Sequence, residues 1–503
     1  MADLPVSKRG RLRVLLELRP ALDGHAGIPQ QTRLLFRQLA VDPGIAVCGL
    51  LQSSTHALGR GIADSGSGEA TDRHIDRLSR VVIMIEERFA RSNFSVVFAV
   101  LRRLAGVSER LTRFDPVHFK DFIWHRLFAR SLPPEDFELV TRAGYRIART
   151  PWTAMHIVGL VSRFLGRTVL PRLDASGFDV MLAETPYPAR VSRRTALVIR
   201  YHDAIPLLLP HTISTRRHHQ RFHYQALRDN VRSGAWFVCV SEATRRDLIA
   251  VFPQAEARSV TIHNIVSHEY FDAESPAEQV PAILRARCNL RLPGPLQRRV
   301  SRSLAPDAGV EGGVEYLLMV STVEPRKNHL TLLTAWEMLR TAGARDMKLV
   351  VVGSLGWHHK AILARMRHWI EAGDVVLLEN VPARELRVLY QHARATVCPS
   401  RAEGFDLSGI EAMRSGGVVV ASDIPVHQEI YCDAAEYFNP HSADDLLRAL
   451  KKIIDAGAGE RRAELRRRGT EVARRYESSV IMPKWADFLG RVTEHGVPQL
   501  AGP

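Results

Sequence analysis

The chain has few cysteines and pairs none of them in sequence. Its five, Cys48, Cys239, Cys288, Cys398 and Cys432, are scattered, odd in number and form no Cys-x-x-Cys. This argues against a disulfide framework or a zinc module and fits reduced thiols in the cytoplasm. Long apolar runs are missing as well. No stretch reaches the roughly 18 uncharged apolar residues of a membrane span; residues 152–170 come nearest but carry Arg163 and Arg167. The basic start leads into an apolar run, Val14 to Leu18, that Glu17 interrupts and that is too short for a signal-peptide core. Acidic residues are in deficit: 54 Asp and Glu against 69 Lys and Arg leave a net charge of +15. Such an excess attracts phosphates, whether of nucleic acid, an anionic leaflet or a small molecule, or is simply a solvated basic surface. No aromatic-basic interleaving or known module supports nucleic acid. Only Gly24 and Gly27 follow the first strand, where a Rossmann dehydrogenase needs Gly-x-Gly-x-x-Gly.

What is present is alternation of apolar runs with amphipathic stretches over 503 residues, enough for more than one core. Runs at 12–18, 45–51, 178–184, 195–203 and 235–241 predict buried strands of one parallel α/β unit. Residues from about 60 to 172 break the rhythm with arginine-rich helical patterns and predict a helical insertion. Residues 277–312 are rich in Pro, Gly, Ser and Arg and predict a linker or surface loop. A second α/β unit follows, with strands at 314–321, 347–353, 374–380, 395–400 and 417–423. The expected boundaries are 1–300, 313–478 and a terminal helix and tail over 479–503. Two such units predict a cleft between them, with ligands at the strands' carboxyl ends.

Arg326 and Lys327 stand where a strand has ended and a helix begins near Asn328, a good N-cap residue. Two cations there face the positive end of the helix dipole, which is unfavourable unless an anion binds. Later comes SRAEGFDLSGIEAMRSGG, 400–417. Ser408 and Glu411 fit a capping box. Glu403 has no such structural role, and offers an acceptor for hydroxyls beside an anion site. A ligand with both phosphate and polyol parts, such as a sugar nucleotide, suits that pairing. His219 and His223 sit at i, i+4, but a third metal ligand is missing.

With these motifs the sequence resembles the family 4-type retaining glycosyltransferases of GT-B fold, the glycosyl transferases group 1 family. The matching pieces are Glu403-x7-Glu411, VEPRKNH (323–329), VVGSLGW (351–357) and SDIPVHQEIYCDAAEYFNP (422–440). In the first half they are GHAGIPQQTR (24–33), YHDAIP (201–206), CVSEATRRDL (239–248) and IHNIVSHEYF (262–271). Among subfamilies it is most similar to bacterial mannosyl- and rhamnosyltransferases of surface polysaccharide assembly. The resemblance implies two Rossmann-like doubly wound domains facing a cleft. It implies that Arg326 and Lys327 hold the donor diphosphate, so that no metal and no other cofactor is required. Glu403 would bind the donor sugar and Glu411 the ribose, with Gly404, Phe405, Asp406, Leu407 and Thr322 as further donor contacts. Gly27 and Ile28 would approach the diphosphate, His202 the reacting sugar, and Asn380 and Val381 the nucleobase. Asp406, Ser408, Ser321, Ile265 and the Gln30-Gln31 pair depart from the family's usual residues, and bear on which donor fits. The expected function is sugar transfer from a nucleotide sugar, first GDP-mannose, with dTDP-rhamnose and UDP-hexoses next, to a glycan or lipid-linked acceptor. The expected location is the cytoplasm, with peripheral contact to the anionic inner-membrane surface. An inactive GT-B scaffold and a basic nucleic-acid-binding protein are the rivals of another class.

Overall fold

The structure, a computed structural model, describes residues 10–22, 24, 27–63, 71–87, 107–162, 170–213, 216–288 and 314–494. Its N-terminal strands are β1 (Leu12–Glu17), β2 (Ile45–Leu51), β3 (Thr112–Phe114), β4 (Gly144–Ile147), β5 (Val180–Ala183), β6 (Ala196–Tyr201), β7 (Trp236–Cys239) and β8 (Ser259–Thr261). They form one sheet in the order β8-β7-β6-β5-β1-β2-β4-β3. Every neighbour pair is parallel except β3 with β4. Parallel strands are covered by helices on both faces, so they must be apolar throughout. β5 and β6 are buried at every position, Arg200 included.

The C-terminal strands are β9 (Tyr316–Val320), β10 (Lys348–Val352), β11 (Val375–Leu378), β12 (Ala395–Cys398), β13 (Val419–Ser422) and β14 (Ala435–Phe438). Their sheet runs β11-β10-β9-β12-β13-β14 and is parallel throughout. The order reverses between β9 and β12. At such a switch point the loops leaving two adjacent strands diverge and open a crevice at their carboxyl ends.

Three expectations change. The segment 60–172 is not helical throughout. It holds the helices Thr71–Glu86 and Trp152–Ser162, but also β3 and β4, which extend the main sheet. Alternating arginines hid these short strands, because β4 buries only Tyr145 and Ile147 fully. Second, the expected loop from 277 contains a helix, Gln279–Arg287; residues 289–313 lie outside the described residues. Third, the boundary expected near 300 falls near 265. Ile262 and Ile265 pack in the N-terminal core, whereas Val266, Tyr270, Val280, Ile283 and Leu284 pack in the C-terminal one. The terminal helix, Ser478–Glu494, returns to the first unit: Ile481, Trp485, Phe488, Leu489 and Val492 are buried with Val14, Val198 and Val238. Each such Ile, Leu or Phe contributes about 1.5–3 kcal/mol by leaving water. The two crossings lie side by side, Val266 N donating to Tyr476 O at 2.9 Å. No helix among the described residues is long and apolar enough to cross a membrane.

Candidate active site

A cleft of about 660 Å³ lies between the two sheets. Every site residue expected from sequence lines it: Gly27, Ile28 and His202 from the first unit, and Thr322, Arg326, Lys327, Asn380, Val381, Glu403 to Leu407 and Glu411 from the second. The switch point explains the meeting of its two charged loops. The loop after β9 carries the cations, and the loop after the adjacent β12 carries Glu403.

Arg326 and Lys327 lie in a short 3₁₀ turn, Pro325–Lys327. Asn328 follows in the left-handed region, φ 63°. Contrary to expectation its side chain does not cap the next helix. It donates instead to the carbonyls of Pro399 and Pro440, at 3.0 and 2.8 Å, and so pins the turn to neighbouring strand ends. Glu403 stands between the cations, with Lys327 Nζ 2.6 Å from Oε1 and Arg326 Nη1 2.7 Å from Oε2. Arg326 also pairs with buried Glu324 at 2.9 Å. Burial alone would push the Glu403 carboxyl up, but the charges of Arg326 and Lys327 outweigh it and hold the group below its usual range. Burial works against the Arg326 guanidinium too, and Glu403 and Glu324 together raise it above its ordinary value. Glu403 is therefore held as a carboxylate against the Arg326 guanidinium, and an anion can trade places with it without leaving the cations bare.

The capping box expected of Ser408 and Glu411 is not formed. Asp406 caps the helix Leu407–Arg414, accepting from Ser408 N at 3.1 Å and from Ser408 Oγ at 2.7 Å. His427 Nε2 lies 3.3 Å from its other oxygen. Burial would raise the Asp406 carboxyl, but the His427 contact and the charge of Lys327 hold it far below the usual range. The extra negative charge in the loop is thus a helix cap turned towards His427. Gly404 is required where it stands, because a Cβ there would overlap the backbone carbonyl of His202 in the other unit. Its own carbonyl accepts from Ser241 Oγ at 2.7 Å across the same seam.

Freed from capping, Glu411 is held by Tyr390 Oη and, across the cleft, by Gln30 Nε2, each at 3.1 Å. Burial pushes its pKa up to about 7, against the lowering effect of these bonds. Hydroxyl donors of a ligand favour the carboxylate over the acid. Between pH 6 and 8 the ionised fraction of such a group rises from about one tenth to about nine tenths. If Glu411 accepts from the ribose, as the resemblance in sequence implies, nucleoside diphosphate affinity strengthens by up to about tenfold over that range. Titration calorimetry at the two pH values checks this. The gain should shrink in Glu411→Gln to the part that comes from the ligand's own terminal phosphate, whose second ionisation lies at about pH 6, and an equal gain in that variant would refute the assignment.

Residues 302–472 match the family model Glycosyl transferases group 1. This stretch is a glycosyl transferases group 1 domain. Among curated proteins the chain is 32% identical over 198 residues to the Escherichia coli serotype-specific mannosyltransferase WbdA, covering 36% of this chain and 24% of that protein. It is 29% identical over 224 residues to the Escherichia coli O-antigen chain mannosyltransferase B, covering 44% and 52%. The matches thus span a quarter to a half of those relatives' length. Among solved structures, sucrose-phosphate synthase from Thermosynechococcus elongatus superposes with a TM-score of 0.56 at 15% identity, over 96% of this chain and 100% of that one. The shared architecture is the GT-B fold.

The group 1 domain supplies Arg326, Lys327, Glu403 and Glu411; the first unit supplies the facing wall, where sequence reasoning missed several residues. His202 Nε2 lies 3.2 Å from Glu184 Oε2. Glu184 is fully buried at the end of β5 and also lies 3.5 Å from Arg200. Arg200 in turn donates to Gln31 Oε1 and Asn264 Oδ1. The signal for Glu184 was legible: an acid closing an apolar parallel strand points to a site at its carboxyl end. Gln30 had no such signal, since its partner lies 381 residues away. His223, considered as a metal ligand, lies 3.3 Å from the Tyr201 hydroxyl, and no cluster of metal ligands occurs among the described residues.

Proposed function

We propose that the protein is a retaining glycosyltransferase that moves a sugar, in the first place mannose from GDP-mannose, to a glycan or lipid-linked acceptor of a bacterial surface polysaccharide. The observation that carries the reading is the Arg326–Glu403–Lys327 cluster at the switch point facing the other domain. The names of the relatives, both mannosyltransferases, favour mannose. A leaving nucleoside diphosphate develops charge in the transition state. Preorganised cations in a water-poor cleft stabilise that charge without reorganising. On binding, the diphosphate takes the two cations, and Glu403 turns its oxygens to the sugar hydroxyls beside it. Glu411 accepts from the ribose. His202, oriented by Glu184, faces the reacting sugar. No protein nucleophile is required when a donor phosphate oxygen deprotonates the acceptor on the same face. Charge stabilisation by side chains requires no metal.

A ligand that binds only the native state raises its stability by mass action, by about 2.7 kcal/mol at a hundred times its dissociation constant. Thermal melts of the full chain without added metal are expected to shift upward with at least one of GDP, UDP, dTDP and CMP. No response to any of them would overturn the nucleotide-sugar reading and favour a scaffold.

A further inference from the structure

We propose that Glu379 reads the base of the donor nucleotide, and that the base it selects is guanine. The inference rests on the cleft being a nucleotide-sugar site. Glu379 follows β11 directly and lines the same cleft as the cation cluster. β11 lies two strands from β9, whose loop holds Arg326 and Lys327. At the usual strand spacing that is about 10 Å, a reach suited to a nucleoside extending from a diphosphate held at the switch point. Between the two ends stands Glu411, fixed by Tyr390 on the helix Ala383–His392 that leaves the β11 loop. Val320, Val352, Val381 and Leu386 line the same cleft as Glu379. Apolar side chains of this kind suit the faces of a flat base, and a carboxylate suits its polar edge.

The carboxylate has work left to do. Glu379 is half-buried, and it has neither a hydrogen bond nor an ion pair among the described residues. By contrast Glu324, Glu403, Asp406 and Glu411 in the same region are all partnered. A carboxylate only accepts hydrogen bonds. Guanine offers it two adjacent donors, the ring N1–H and the exocyclic amine, and so can be bound by both oxygens. Uracil and thymine offer one N–H between two carbonyl oxygens, which the carboxylate repels. Cytosine offers one amine beside an acceptor nitrogen. The edge chemistry therefore discriminates by attraction to one base and repulsion of the others. A bidentate contact of this kind gives about tenfold discrimination or more.

Titration calorimetry of the full-length protein with GDP, IDP, UDP, dTDP and CDP tests this. GDP is expected to bind at least about tenfold tighter than UDP, dTDP and CDP. IDP, which lacks the exocyclic amine, should fall clearly below GDP, and needs no variant to show it. In Glu379→Gln, GDP affinity should drop, while UDP and dTDP, relieved of the carboxylate's repulsion, should bind no worse than before, so that the preference for GDP is lost. UDP or dTDP binding as tightly as GDP would overturn the proposal and leave the transferase reading standing. So would IDP matching GDP, or an undiminished GDP preference in Glu379→Gln. Failure of every diphosphate to bind would remove the nucleotide-sugar reading and this proposal with it.

Discussion

Lys327→Ala is expected to lower sugar transfer by about a hundredfold to a thousandfold, the usual effect of removing one preorganised donor aimed at developing charge. The side chain is well placed for that loss. It sits at the end of a 3₁₀ turn pinned by Asn328, so its position is set by backbone rather than by the ligand. Its ammonium already rests on a carboxylate, Glu403, which a diphosphate oxygen replaces in the proposed reaction. The fold should survive, because Glu403 keeps its contact with Arg326. The measurement is release of GDP from GDP-mannose with an acceptor-bearing membrane extract, together with the melting temperature without ligand. Turnover within about threefold of the parent protein would count against a leaving-group role for Lys327.

Glu403→Ala is expected to act on stability as well as on turnover. The buried carboxylate neutralises two cations that are themselves only 14% and 16% exposed. Removing one member of such a group leaves uncompensated charge in a poorly hydrated place, and costs about 3–5 kcal/mol. Glu324 still contacts Arg326, which puts the expected loss near the lower end, about 3 kcal/mol. It should appear as a lower urea midpoint, with nucleotide-sugar turnover lost. Added GDP should restore part of the midpoint, since a diphosphate replaces the missing anion. A midpoint that stays put would show that the cations are better hydrated than their burial implies.

The strands of both sheets were legible because parallel strands covered on both faces are apolar runs bounded by turns. Where a strand is short or its outer residues are charged, as in β3, β4, β8 and β14, that signal fades. The cation pair was legible through its conflict with the helix dipole, though Glu403 resolves the conflict in the ligand-free protein by occupying both charges. What sequence could not show was which groups meet across the cleft. Gln30 finds Glu411, Ser241 finds the Gly404 carbonyl, and Asp406 finds His427. Each pair is made by folding rather than by spacing. The capping box failed for a related reason: Asp406, two residues nearer the strand, reached the helix end first.

The paired crossings at Val266 and Tyr476 set how the molecule can move. Two crossings that lie side by side and share a hydrogen bond place the natural pivot between the halves there. Displacement about a pivot grows with distance from it. The farthest rim of the cleft therefore travels most when the halves part, and residues beside the crossings hardly travel at all. In the proposed transferase, an acceptor would then enter at that lip while the domains stay aligned at the pivot.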